Sequence, residues 1–231
     1  MTRLYEKLRP TTLADVIGQP QVTGPLSAFL LEPYPNIFLC SGPTGTGKTC
    51  VARILSAALT EPDGFGDHVM NGAMLKTEAV EKFFVDERPY RYRTLEGKFH
   101  VLRIEEFERM PPNVQNFLKE ALEEAQRRYR LIVVATSNTT AAIKDKALLH
   151  RFQRYDFDAG PAFAAAFNEW LQLQWLSETG DFPPPAGWQT WGIDFDRLLA
   201  SGDSEFSGRL ALDKMEQALA ARLHHRDRAQ C

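Results

Sequence analysis

The sequence predicts an α/β protein: a parallel sheet with helices on both faces, followed by a small helical domain. Three observations predict it. Residues 42–49 read Gly42-Pro43-Thr44-Gly45-Thr46-Gly47-Lys48-Thr49, the phosphate-loop pattern G-x-x-x-x-G-K-[ST]. Short apolar runs alternate with helical patterns through residues 1–158, as in a sheet covered on both sides. The composition then changes near Asp158-Ala159-Gly160-Pro161, beyond which long helical, aromatic stretches take over. The expected domains are 1–159, the phosphate-binding α/β domain, and 160–231, the helical one.

Taken in order, Ile37-Phe38-Leu39-Cys40 is a buried strand leading into the loop, and Cys50–Leu59 is the helix leaving it. His68-Val69-Met70, His100–Ile104 and Leu131–Ala135 are further strands, and Arg154–Phe157 a shorter fifth. Arg103 interrupts the third apolar run. Either it reaches a polar neighbour or that strand is less buried than the others. In the second domain, residues 161–178, 193–200 and 204–225 have helical period, and residues 180–187 form a Pro- and Gly-rich loop. Trp170 and Trp175 are expected in that domain's core.

A chain of 231 residues with 44% hydrophobic content can bury a substantial core. No apolar stretch approaches the roughly 20 residues of a membrane span, and the opening MTRLYEKLRP has no apolar signal region. Cys40, Cys50 and Cys231 are an odd set without metal-ligand spacing, as in reduced cytosolic proteins. A cytoplasmic location without membrane contact is therefore expected. The net charge of −3 means that any polyanion must meet a local patch. Arg88-Pro89-Tyr90-Arg91-Tyr92-Arg93 and Gln126-Arg127-Arg128-Tyr129-Arg130 interleave cations with aromatics, but solvated loop faces have the same composition, and neither is assigned as a site.

The loop carries the chemistry. Glycines let successive N–H groups turn inward on phosphate oxygens, and the helix behind aims its positive end at them. Lys48 reaches the β- and γ-phosphates, and the Thr49 hydroxyl holds Mg²⁺. Strand 100–104 ends in Glu105-Glu106. Two carboxylates there divide the work: Glu105 supports Mg²⁺ through water, and Glu106 orients or deprotonates the attacking water. The next strand ends Ala135-Thr136-Ser137-Asn138, so Ser137 or Asn138 touches the γ-phosphate or that water. A helix cap is the plain alternative for this pair.

With these residues in hand, the chain resembles an AAA+ ATPase of the clamp-loader type, the family of replication factor C small subunits and the polymerase III gamma and delta-prime subunits. Tyr5-Glu6-Lys7-Leu8-Arg9-Pro10 and Leu13-Ala14-Asp15-Val16-Ile17-Gly18-Gln19 match that family's amino-terminal segment. The resemblance implies that Val16, Ile17 and Gly18 line the adenine of ATP. Gly42 to Thr49 and the following Cys50 complete the nucleotide contacts. Met110–Lys119 and Leu122-Glu123-Glu124 resemble the helix after the acidic strand. Leu148-Leu149-His150-Arg151-Phe152 falls where the family has Ser-Arg-Cys, implying that Arg151 acts in trans on a neighbour's nucleotide. Ser207-Gly208-Arg209-Leu210-Ala211-Leu212 resembles the lid's sensor motif, implying that Arg209 reaches the γ-phosphate in cis and that ATP lies between sheet domain and lid.

Four features depart from the pattern. Glu105 stands where the family has Asp, His150 and Phe152 flank Arg151, no four-cysteine module follows the loop, and the sequence stops after the lid, before the family's collar domain. The expectation is an ATPase with ATP and Mg²⁺, forming homo- or hetero-oligomers with other AAA+ subunits on DNA or a sliding-clamp-like ring. An ATP-binding scaffold with little hydrolysis and a protein remodeller are the alternatives.

Overall fold

The computed structural model describes residues 3–143, 145–181 and 207–229. The expected loop at 180–187 lies almost wholly outside them, as do the helical stretch at 193–200 and Cys231. The chain forms two compact units. One comprises Gln21–Gly42 and Gly47–Phe157; the other takes the chain up to Pro20, Pro43–Thr46, and the chain from Asp158 onward.

The first unit is a five-stranded parallel sheet in the order β2-β3-β4-β1-β5. Its strands are β1 (Ile37–Ser41), β2 (Asp67–Asn71), β3 (His100–Glu105), β4 (Leu131–Ser137) and β5 (Gln153–Asp156). Every residue of β1 and β4 is buried, because the central strands carry helices on both sides. Ile37, Leu39, Leu102, Ile104, Val133 and Ala135 face a core with Val114, Leu118 and Leu122 of α5 (Pro112–Arg128). Leu75, Val80 of α4 (Thr77–Glu81), Phe83 of the π-helical turn Lys82–Glu87 and Leu148 of α6 (Lys146–Leu149) join it. On the other face α2 (Pro20–Leu31) sets Phe29 edge-on to Phe38, with ring centroids 4.8 Å apart. There α3 (Lys48–Leu59) buries Val51, Ile54 and Leu55.

Arg103 reaches polar neighbours. Its Nε and Nη2 donate to the two carboxylate oxygens of Asp67 at 3.0 and 2.9 Å, and Asp67 also accepts from Ser56 Oγ at 2.6 Å. Burial pushes the Asp67 carboxyl up, but the hydrogen bonds from Arg103 and Ser56 outweigh it and hold it below its ordinary value.

The second unit has its own core. Phe163, Phe167, Leu171 and Trp175 of α7 (Pro161–Thr179) pack with Ala211, Leu212 and Met215 of α8 (Gly208–Ala229), and Trp170 lies against them partly buried. The amino-terminal segment belongs to this core. Leu4, in the short helix α1 (Leu4–Lys7), is buried in it, the Leu4 amide donates to Glu216 at 3.1 Å, and Lys7 pairs with Glu178.

Candidate nucleotide site

The loop after β1 is a backbone construction. Gly42, Gly45 and Gly47 have φ of 142°, 83° and 102°, values that side chains rarely tolerate. A methyl group at Gly42 would come within 2.3 Å of the Phe157 carbonyl oxygen. Thr46 Oγ1 closes the loop by donating to the Pro43 carbonyl at 2.9 Å. Gly47 caps α3 in the left-handed region, so the free amides of a 12-residue helix begin at Lys48 and Thr49. Lys48 is buried, and its Nζ donates to the Gly42 carbonyl at 2.7 Å. Burial draws its pKa down to about 8, against the opposing charges of Glu108 and Cys40. The Cys40 thiol itself is pushed up to about 12 by burial. Thr49 is exposed and Cys50 half-buried.

The ends of three neighbouring strands meet here. β1 runs beside β4 with Ser41 opposite Ser137, and the Gly42 amide donates to the Ser137 carbonyl at 3.2 Å. Ser137 is buried, and its Oγ donates to the Thr139 carbonyl at 2.6 Å. Asn138 is exposed and its Nδ2 donates to Glu108 at 2.8 Å. Ser41 Oγ is hydrogen-bonded to Asp156, a contact that sequence reading did not single out.

The acidic turn after β3 distributes its carboxylates. Glu105 lies 3.4 Å from Arg103 Nη1. Glu106 has a left-handed backbone, φ 53° and ψ 44°, and pairs with Arg109 at 3.1 Å. Glu108, unassigned from sequence, is the turn's carboxylate whose charge acts on Lys48. Its only signal in the sequence was position, three residues beyond Glu105 in a short turn.

The two arginines are both engaged. Arg151 Nη2 donates to Glu123 of α5 at 2.8 Å. Within the second unit, Arg209 stands exposed at the start of α8 with its guanidinium 5.0 Å from the centre of the Tyr5 ring. Ser207 abuts Gly45, where an added methyl would meet its Oγ at 2.1 Å. Val16 is buried, Ile17 packs on the helical core, and Gly18, at φ 67°, lies against Phe163.

These residues fit a nucleotide. The glycine cradle, the helix terminus and Lys48 suit phosphate. Thr49 and Glu105, expected from the sequence to hold Mg²⁺, offer hard oxygens of the kind that ion takes together with substrate phosphates.

Fold and loop define a P-loop nucleotide-binding protein. More narrowly, the chain belongs to the ATPase family associated with various cellular activities (AAA), whose pattern matches residues 38–158, just over half of it. It is 27% identical to the polymerase III subunit tau of Bacillus subtilis over 94% of its length, and spans 41% of that protein. It is 25% identical to the replication factor C small subunit of Halobacterium salinarum over 93% of its length, spanning 62% of it. These likenesses support the clamp-loader resemblance. Among solved structures, a point mutant of Thermotoga maritima RuvB superposes with a TM-score of 0.59 at 20% identity, covering 91% of this chain and 73% of that one, and shares the fold. Among the described residues no helix is long and apolar enough to cross a membrane.

Proposed function

We propose that this chain binds ATP with Mg²⁺ and hydrolyses it as one subunit of an AAA+ assembly in DNA replication or repair, acting on DNA or a ring carried by DNA. The observation that carries the reading is the phosphate loop, with three glycines at positive φ around a buried lysine. In this reading Lys48 exchanges the Gly42 carbonyl for phosphate oxygens. Gly42 to Cys50 cradle the phosphates, and Val16, Ile17 and Gly18 line the base. Thr49 and Glu105 hold the Mg²⁺, which neutralises phosphate charge. Glu106, by its place in the motif, meets the attacking water, and Ser137 or Asn138 senses the γ-phosphate. Arg209 answers the γ-phosphate from the lid domain, residues 160–231, and Arg151 of a neighbouring subunit completes the site. DNA and ring partners rest on the likeness to tau and replication factor C subunits.

A second reading, an ATP-binding scaffold that barely hydrolyses, is favoured by one observation. Glu105 and Glu106 each face an arginine of their own chain. Steady-state ATP hydrolysis against protein concentration, with and without primed DNA and with Lys48→Ala as blank, separates the two. Turnover rising with concentration and DNA supports the assembled ATPase. Turnover at the blank, with a fluorescent ATP analogue still bound, supports the scaffold. Retention on an immobilised sliding clamp tests the ring partner, and its absence favours a protein remodeller.

A further inference from the structure

Two runs of the sequence interleave cations with aromatics, residues 88–93 and 126–130, and the nucleotide site uses neither. The fold brings them to one place. The second run ends at the residue before β4, and β4 lies beside β3 with Leu131 opposite His100. The first run is tied to the start of β3, where His100 Nε2 lies 2.9 Å from the Tyr92 carbonyl. The runs also touch. The Tyr90 and Tyr129 ring centroids are 5.0 Å apart, and the Arg91 guanidinium lies 5.3 Å from the centre of the Tyr129 ring. Arg130 lies over Phe99 at 4.3 Å, and its Nε donates to the Lys98 carbonyl at 3.2 Å. The amino ends of β3 and β4 thus carry Arg88, Arg91, Arg93, Lys98 and Arg130.

These charges are held in place without being cancelled. Arg88 Nε donates to the Val85 carbonyl at 2.5 Å and Lys98 Nζ to the Ala58 carbonyl at 2.9 Å, while Arg91 and Arg130 rest on rings. Among the described residues none of the five is ion-paired with a carboxylate, whereas nearby Lys82 is paired with Glu87. Residues 88–98 hold four cations and one carboxylate, Glu96. The backbone of Arg88 is left-handed, φ 45° and ψ 52°, which is uncommon outside glycine. It turns the chain out of the π-helical segment and into the tight turn Pro89–Arg91.

The aromatics divide the work. Tyr90 is buried, its hydroxyl on the Phe84 carbonyl at 2.9 Å, and supports the run from beneath. Tyr92, between Arg91 and Arg93, is 66% exposed. An open ring among cations is how single strands are held: the cations meet phosphates and the ring takes a base face. A duplex or an anionic lipid surface brings phosphates but no open base face to that ring.

We propose that this surface binds a single strand of nucleic acid, its phosphates on Arg91, Arg93 and Arg130 and an unpaired base on Tyr92; this deepens the DNA part of the reading above and rests on it. Because the strands are parallel, the surface lies at the opposite end of the sheet from Lys48 and the carboxyl end of β1. That is about five residues of strand at roughly 3.3 Å each, so strand and nucleotide do not compete for space.

The test is fluorescence anisotropy of a labelled oligothymidylate with the full chain, over a series of salt concentrations, with binding of a fluorescent ATP analogue measured alongside. The wild type should bind with an affinity that falls as salt rises. Arg91→Ala with Arg93→Ala should lose about tenfold or more, and its slope of log affinity on log salt should be shallower by about 1.4, at about 0.7 per phosphate contact. Tyr92→Ala should lose about fivefold or more with the slope unchanged. All should keep ATP-analogue affinity within about twofold, as distant sites do. Arg91 stands on Tyr129, so Arg93→Ala alone carries the test if the double variant fails to fold, with a slope change of about 0.7. Wild-type affinity and slope in the arginine variants overturn the proposal and leave DNA to another surface. An arginine loss without a Tyr92 loss, or displacement of the oligonucleotide as readily by duplex or by phosphatidylglycerol vesicles at equal phosphate, overturns the single strand as occupant. A wild type that does not bind oligothymidylate overturns the surface; stimulation of turnover by primed DNA then decides the DNA reading separately.

Discussion

The phosphate loop and the acidic turn stand at the carboxyl ends of β1 and β3, with β4 between them, and they are built by opposite means. The loop is made of backbone: three glycines at positive φ, a helix terminus, and one lysine resting on a carbonyl of its own loop. The turn is made of side chains: three glutamates shared among Arg103, Arg109 and Asn138. A backbone device is specified by residues that nothing else can replace. A side-chain device depends on who stands opposite, and that is decided by the fold.

The largest expected effect lies in the loop. Lys48→Ala removes the lysine proposed to meet phosphate, and nucleotide affinity should fall by about 10²-fold or more, given the strength of charge-assisted hydrogen bonds. Undiminished binding of a fluorescent ATP analogue would remove the loop from the site. Next comes the contribution from outside both regions. Arg151→Ala should lower turnover of the assembled protein by roughly 10³-fold if the arginine acts in trans. Mixing it with Lys48→Ala protein, which supplies an intact Arg151, should restore part. Full turnover, with equal small losses of thermal stability in Arg151→Ala and Glu123→Ala, would make the 2.8 Å pair a structural one.

Two glycines then compare the regions directly. An alanine at Gly42 would meet the Phe157 carbonyl at 2.3 Å in a backbone with φ 142°; one at Gly72 would meet the Glu106 carbonyl at 2.4 Å. Each should cost about 1–3 kcal/mol in urea unfolding from overpacking, with Gly42→Ala the worse because strain adds to the clash. Their functional signatures should differ. Gly42→Ala should weaken ATP binding, whereas Gly72→Ala, by displacing the turn, should slow turnover and spare affinity. Equal affinity losses would erase the distinction between loop and turn.

The same distinction explains what could be read from the sequence. β1, β3 and β4 appear as apolar runs whose ends move by no more than two residues, because strands buried on both faces need continuous hydrophobicity, and β2, an edge strand with no buried residue, extends by one residue at each end. β5 was visible though mostly exposed, one residue earlier than expected. The loop was legible residue by residue. The π-helical turn at Lys82–Glu87 was not, since its shape follows from Phe83, Phe84 and Tyr90 packing on the core rather than from local pattern. Nor was the contact of Glu108 with Asn138, since the left-handed backbone at Glu106, packed against Gly72, is what redirects the turn. The ion pair of Arg151 with Glu123 joins residues 28 apart in sequence and was equally hidden.

The smallest effect concerns the strands that carry the turn. His68 of β2 lies 3.1 Å from His100 of β3 through Nε2 and Nδ1, and His100 Nε2 lies 2.9 Å from the Tyr92 carbonyl. A carbonyl can only accept, so His100 donates from Nε2 and receives at Nδ1 from His68. Burial first, then the neighbouring His100, brings His68 down to about 4 from an ordinary 6.5, with Asp67 acting against. Between those two values the unfolded chain binds a proton that the folded chain does not, so stability should fall as the pH drops from 6.5 toward 4 and gain no further loss from this group below that. Asp67, held below its ordinary 3.8, acts in a separate window at lower pH, where its protonation removes the charge that holds Arg103. Urea midpoints at pH 7.5, 6 and 5 (roughly spanning the His68 window) should therefore decline in the wild type and flatten in His68→Asn. A variant with the wild-type slope would place the acid sensitivity elsewhere, and leave the histidine pair as packing alone beneath the turn.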